Sequence, residues 1–421
     1  MRPRERPRLA NDVTRRLVVR HRNRVYILED AGAWGSFQRD QCMPHAPRAG
    51  EVTSVMALAA VLLASAMPSG AHAQWSVVRL HPQGATQSGC NAVNGGQQAG
   101  QVTFTGGPRA ALWSGSAGSW VDLTPAGHSA SVSELDGVNQ VGSAFMSARH
   151  AALWSGSAAS WIDLHPSWAT ESWATGVSNG QQVGYGNLAT GFPRACLWTG
   201  SAASCVDLNP ANGVGSYASG VGGGTQVGQT YLQGNQDGHA SLWSGSAASF
   251  IDLHPAAAIY GSSAAATDGI EQVGFANFYD DHAALWRGTA ASWVDLHPVG
   301  VDESTARAVS GGFQAGQTRV GPFAGGAYHA ALWNGSAESW VDLHTFLPPG
   351  FSSSNANGIW VEGAQVYVVG SGFNSQSGTY EALMWTVPSP PGMFVMVAGA
   401  FPALRRRRGA GTMGRFKLAA R

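Results

Sequence analysis

Lysine is all but missing from this 421-residue chain, with Lys417 its one copy. Residues 74–386 hold seven arginines, no lysine and nineteen aspartates plus glutamates, so 7 − 19 = −12. The formal net charge of zero therefore averages basic ends with an acidic middle. An acidic surface repels phosphate backbones, which excludes nucleic acid as a partner. Cysteine is sparse as well: Cys42, Cys90, Cys196 and Cys205 are too few for a disulfide framework, and their spacing gives no zinc pattern. Long apolar runs are lacking. The stretch 55–67, VMALAAVLLASAM, is too short to span a bilayer comfortably. No apolar stripe at helical spacing runs through the Gly-, Ser- and Thr-rich middle, which argues against a helical array.

What the chain has instead is repetition. ALWSGSAGSWVDL, residues 111–123, recurs in close copies anchored by Trp113, Trp154, Trp198, Trp243, Trp286, Trp333 and Trp385. A period of about 40–50 residues belongs to propeller blades and helical arrays. Each unit divides into four short β-like pieces, as in SWATGVS, QQVGYGN, RACLWTG and SCVDLNP between 172 and 210. The first two pieces are joined by tight-turn dipeptides: Asn94-Gly95, Asp136-Gly137, Asn179-Gly180, Gly223-Gly224, Asp268-Gly269, Gly311-Gly312 and Asn357-Gly358. Such pairs supply the positive φ of two-residue hairpins. Gln98, Gln140, Gln182, Gln226, Gln272 and Gln314 open the second pieces, and Gln365 leads into a divergent one. The first pieces are rich in Ala, Ser and Gly, as strands crowding a narrow axis should be.

The ends of the repeat region predict closure. The seventh unit stops at EALMWT, 381–386, without a fourth piece, and a spare copy of that piece, WSVVRLHP, stands at 75–82. An N-terminal strand completing the last blade leaves only short, protected edges. The expected fold is all-β: a seven-bladed propeller of four-stranded blades over 74–386, closed by its N-terminal strand. An open β-solenoid is the alternative and would need capping units.

Three segments flank that domain. Residues 1–54 are basic, with nine arginines in the first 24 positions, and read as a disordered extension or as upstream sequence before a true start at Met43. Residues 55–73 combine the apolar run with Ala71-His72-Ala73. With Arg48 before them they have the parts of a secretory signal, cleaved after Ala73. Residues 387–421 begin with a Pro-rich break, continue through an apolar run at 393–404 and end in Arg405, Arg406, Arg407 and Arg408 plus a short tail. That order reads as a membrane stop with a positive flank on the inner side.

Pro388, Pro390, the apolar run and the four arginines resemble the PEP-CTERM type of bacterial sorting tail, with Ser389 where that motif carries Glu. The resemblance implies export, transient membrane retention and processing by signal peptidase and an exosortase-type enzyme. HAALW at 150–154, 282–286 and 329–333, HASLW at 239–243, and the Asp-Leu strands at Asp122, Asp163, Asp207, Asp252, Asp295 and Asp342 resemble the HAF family of bacterial extracellular repeats. Ala or Ser stands in place of that family's Phe. The resemblance covers nearly all of 74–386 and implies export and repeat architecture, but no reaction.

Candidate chemistry follows. His81, His165, His254, His297 and His344, with His150, His239, His282 and His329, repeat once per unit. A ring holds such copies apart, so they are expected to bond their own surroundings rather than one metal. GVSNG at 176–180 matches a nucleophile-elbow string, but Ser178 leads into a hairpin and not a helix. Asp280-Asp281 lacks a calcium loop around it and reads as a solvated turn. Cys196 and Cys205 lie on two strands of one hairpin: a disulfide or two packed thiols. The connections that vary between units carry aromatic residues, of which Trp168, Trp173, Tyr217, Tyr260 and Tyr279 are the candidate ligand contacts. No metal or cofactor is expected. The predicted function is an exported, non-enzymatic scaffold or binding module of the cell surface or matrix, with an exopolysaccharide or envelope protein as ligand. The alternative is a secreted propeller enzyme, a polysaccharide lyase or glycosidase, which needs an unrepeated polar cluster near the axis.

Overall fold

The computed structural model describes residues 17–21, 24–28, 75–321 and 325–388. The expected signal segment, Pro390 and the Arg405–Arg408 cluster lie outside the described residues, and Pro388 is the last residue within them. The chain divides into two units, Met1–Gly70 and Ala71–Arg421. In the first, Leu17–His21 pairs antiparallel with Arg24–Leu28. The Val, Ile and Tyr residues of this hairpin are strong strand formers.

The second unit is a seven-bladed β-propeller. Its blades are four-stranded antiparallel sheets. Blades 1 to 6 span 87–122, 129–163, 171–207, 213–252, 262–295 and 303–342. Blade 7 consists of Phe351–Glu362, Gln365–Asn374 and Thr379–Pro388, completed by Ser76–Arg79 from the start of the unit. The first strands of adjacent blades pack in sequence, and blade 7 packs on blade 1. The ring is closed as the spare strand predicted.

Its core is distributed, one cluster between each pair of sheets. The seven anchor tryptophans are fully buried. Truncating one to Ala costs about 3–5 kcal/mol. The recurrent glutamine explains itself in the same region. Gln182 donates from Nε2 to the Gly180 carbonyl (2.9 Å) and accepts from the Gly200 N–H (2.7 Å), so it staples the first hairpin turn to the second. Gln98, Gln140, Gln226, Gln272 and Gln314 make the same two bonds. In blade 7 the residue opposite the anchor Trp385 is Val368, so this staple is missing there.

The innermost strands share a feature that patterning did not expose: a bulge at one fixed place in every blade. The bulged residues are Asn91, Ser133, Thr175, Ser219, Ala265, Arg307 and Asn357. Bulges sharpen local twist, which suits strands converging on an axis. Several bond across blades. Asn91 donates to Val132 O (2.7 Å), Thr175 to Ala218 O (2.8 Å) and Asn357 to Cys90 O (3.0 Å), the last across the closure. The crowding also explains the small residues: a Cβ on Gly220 would meet Ala265 O at 2.9 Å.

The turn assignments need correction in four blades. Pairing of Asn94 with Gln97 and of Asp136 with Asn139 makes both residues strand ends, so those turns are Gly95-Gly96 and Gly137-Val138. In blade 5 pairing stops at Thr267 and Gln272, and Asp268 Oδ1 accepts the N–H groups of Ile270 and Glu271 at 2.9 Å each. In blade 7 Asn357-Gly358 lies inside the strand, at the bulge, and the chain turns at Gly363-Ala364. A longer first strand moved the turn while the Asn-Gly pair stayed at the axis.

Candidate functional site

Strand alternation brings the second-to-third and fourth-to-first connections to one face of the ring. Most side chains there obey the repeat, so departures from it are the places to look for function. The largest departure is aromatic. Trp173 on the first strand of blade 3 pairs directly with Tyr185 on the second. Their rings stack 4.7 Å apart at 19°. Tyr217, at the equivalent first-strand position of blade 4, meets Tyr185 edge-on at 4.7 Å, and Tyr231 continues the row at 6.4 Å. The Arg149 guanidinium carbon lies 5.9 Å from the Trp173 ring. The other five blades carry Gly89, Ser131, Ser263, Thr305 and Asn355 at the Trp173 position. The cluster is therefore unrepeated.

Two of the five sequence-derived candidates, Trp173 and Tyr217, are thus joined, and the link between them is Tyr185. Sequence reasoning missed Tyr185, Tyr231 and Arg149. Unbulged pairing from the Asn179-Gly180 turn would set Tyr185 opposite Ala174; the bulge at Thr175 moves it opposite Trp173. Tyr260 and Tyr279 form a second group at the connections of blade 5, edge-to-face at 5.9 Å and both exposed. Tyr279 has φ +93°, a left-handed value that side chains other than glycine adopt at a cost. Its N–H donates to Asn277 Oδ1 at 3.1 Å, which holds the loop in that form. Trp168 behaves differently. It packs over its own blade against Gly186, where a Cβ would meet its ring at 2.9 Å.

Burial pushes the Tyr185 hydroxyl up to about 12, with neighbouring Tyr217 adding to the shift, and burial also raises Tyr217. Both phenols therefore stay protonated at neutral pH and can donate or accept. On blades 5 and 6, a small cavity of about 50 Å³ is lined in part by Asp281, Glu303 and Tyr328. The Tyr328 hydroxyl donates to Glu303 (2.8 Å), Arg319 pairs with Glu303 (2.8 Å), and Asn277 donates to Asp281 (2.8 Å). Asp281 is half-buried, not solvated as its sequence suggested, and burial raises its pKa.

The repeated histidines form local networks. His150 Nδ1 bonds Asp163 Oδ2 at 2.8 Å and stacks on His165 at 3.9 Å, and His165 Nδ1 bonds Ser172 of the next blade at 2.8 Å. Blades 4, 5 and 6 repeat this with His239, His282 and His329 stacked on His254, His297 and His344. Among the described residues no three His, Cys, Asp or Glu side chains gather as metal ligands. Ser178 leads into the Asn179-Gly180 hairpin turn, as a strand end and not an elbow. Cys196 and Cys205 form a disulfide within blade 3, with Cα atoms 5.7 Å apart, and Cys90 is free and buried. No helix among the described residues is long and apolar enough to cross a membrane.

No family model matches the chain, and no curated protein matches it. Solved structures do. The β-propeller domain of the Trilobed protease from Pyrococcus furiosus aligns at 10% identity and TM-score 0.48, over 72% of this chain and 95% of that one. A puromycin-hydrolyzing peptidase of Mycobacterium tuberculosis aligns at 12% and 0.47, and a puromycin hydrolase at 11% and 0.46, each over 72% of this chain. The chain spans about half the length of both hydrolases, 54% in each case. At such identities the likeness concerns fold and says nothing about activity.

Proposed function

We propose that this chain is an exported, non-enzymatic binding module of a bacterial surface or extracellular matrix, and that it takes a polysaccharide across the aromatic face. One observation supports this above the rest: the Trp173–Tyr185–Tyr217–Tyr231 row occurs in two adjacent blades and nowhere else in the repeat. Flat apolar rings with protonated hydroxyls suit sugar rings, which present C–H faces and hydroxyl edges together. The acidic middle disfavours polyanions and points to a neutral or basic glycan. Export rests on the signal-like 55–73 segment and on the resemblance of the tail to PEP-CTERM sequences, which bring signal peptidase and an exosortase-type enzyme as processing partners. An envelope protein gripping the same rings is the other ligand to be tested.

Glycan-array screening followed by titration of the best glycan checks this reading. Trp173→Ala and Tyr217→Ala should each weaken binding at least tenfold with the ring intact. An array with no binder, or one whose binder ignores both changes, would remove the sugar reading. The processed N-terminus should be Gln74.

The enzyme alternative has one observation in its favour, an unrepeated carboxyl in the axial channel, Glu134. Cleavage of a glycosidic bond needs two carboxyls facing it. The other channel acids are engaged by backbone: Asp136 Oδ2 accepts the Asn179 N–H at 2.7 Å, and Asp268 is held in its turn. Binding without cleavage fits that arrangement better.

A further inference from the structure

The axial channel encloses about 630 Å³ and is lined by the first strands of all seven blades. That volume falls within the usual range for small-ligand sites. The lining reaches the first hairpin turns, so the chamber belongs to the face opposite the aromatic row. Its wall is mostly hydroxyls, amides and apolar groups, with Asp136 and Asp268 held by backbone N–H groups, and two further charged residues stand out. At the bulge position blade 6 carries Arg307, where blade 5 has Ala265. One residue later blade 2 carries Glu134, where the others have Ala or Gly.

Neither charge is paired within the described protein. Arg307 donates to Asn357 Oδ1 at 2.9 Å and forms no ion pair among the described residues. Glu134 accepts only the N–H of the next residue, Leu135, at 3.0 Å. Burial lowers the Arg307 pKa and pushes Glu134 up to about 7, with Asp136 adding to the latter. Arg307 is exposed to the channel and Glu134 is half-buried on its wall. A half-buried charge without a partner costs stability, and sister blades show that Ala or Gly serves the fold at both places. Blades 2 and 6 are three steps apart one way round the ring and four the other, so the two groups occupy nearly opposite walls.

We infer that the channel binds a small zwitterion whose charges lie at the two ends of a short chain, an ω-amino acid or short linear peptide, with its carboxylate on Arg307 and its ammonium on Glu134. The guanidinium fork matches a carboxylate in a planar, two-bond contact. The ammonium supplies the donors that Glu134 lacks. Asn91, Thr175 and Asn357 line the space between, and Asp136 and Asp268 at the mouth draw in the cationic end. This ligand is separate from the glycan proposed for the other face.

Isothermal titration at pH 8 tests the site with 4-aminobutyrate, 6-aminohexanoate and diglycine, each against hexanoate and hexylamine. One zwitterion of the three should bind saturably, one per chain, at least tenfold more tightly than either singly charged compound. Glu134→Ala and Arg307→Ala should each weaken it at least tenfold. Both variants place at the axis a residue that sister blades already carry, so both should fold. No saturable binding by any zwitterion overturns the inference, as does hexanoate binding equally well, or affinity unchanged in both variants.

Discussion

Tyr279 shows at single-residue scale how fold and proposed function pull apart. Its φ of +93° costs about 1–2 kcal/mol for a side-chain-bearing residue. Tyr279→Gly should therefore raise the melting temperature while weakening any ligand that uses the Tyr260–Tyr279 pair; thermal melts and titration of the same variant check both halves. Glu134 makes a related case. Its folded pKa of about 7 lies above the ordinary 4.5, so the penalty for ionising it is absent below pH 4.5 and complete above pH 7. Glu134→Gln should stabilise by roughly 2–3 kcal/mol at pH 8 and by little at pH 4.5 in paired thermal melts. Trp173, Tyr217, Tyr260 and Tyr279 were legible as candidates because these segments vary between units, although Trp173 and Tyr217 lie on first strands and not in the connections expected to hold them. Tyr185 and Glu134 were not legible, because their places depend on a bulge. A bulge is one extra residue in a strand, and nothing in residue type marks Thr175 or Ser133 as that residue. Trp168 was legible in the same way; its ring rests on Gly186 and remains partly exposed.

Among the elements, the histidine networks set the response to acid. Burial lowers the pKa of His165, His254, His297 and His344, and each stacked histidine partner lowers it further. A folded value below the ordinary 6.5 means that the unfolded chain binds the proton more readily. The associated stability is complete above pH 6.5 and is lost as pH falls through the folded values. Glu134 opposes this over the same range. In Glu134→Gln protein, which lacks that opposing carboxyl, the melting temperature should fall between pH 7 and pH 5. His165→Asn should flatten that fall, since Asn209 fills the same place in blade 3. The glutamine staple is the second element-level device. Gln182→Ala removes two hydrogen bonds and leaves the Gly200 N–H without its acceptor, costing about 1–3 kcal/mol by denaturant melts. Strand pattern, hairpin order and the recurrent Gln were readable because each repeats. The turn positions slipped where strand length changed, in blade 7 most of all.

For the whole molecule, the closing strand carries its own address. In blades 2, 4, 5 and 6 the third strand offers His and the fourth Asp. Blade 7 reverses this. Glu381 takes the histidine's place and Arg79, on the N-terminal strand, takes the aspartate's. The two bond twice, at 2.6 and 2.8 Å, with Glu381 buried. Burial pushes the Glu381 carboxyl up, but hydrogen bonds from Arg79 and Asn374 outweigh it and hold the carboxyl below its ordinary range. An arginine-bearing strand fits the one blade that presents a glutamate and meets the wrong partner elsewhere, so the reversal selects the partner as well as attracting it. Arg79→Ala would leave a buried carboxylate uncompensated, at roughly 2–4 kcal/mol. Closure itself was readable from a missing strand at one end and a spare at the other; the charge reversal became visible only once the register was known.

A cysteine pair at Ser76 and Thr386, directly opposed across the closing ladder, tests the sealed ring most directly. Oxidised Ser76→Cys/Thr386→Cys protein should form that disulfide within one chain, run as a monomer on a non-reducing gel and melt higher than its reduced form. Cross-links only between chains, or no cross-link at all in folded protein, would contradict it.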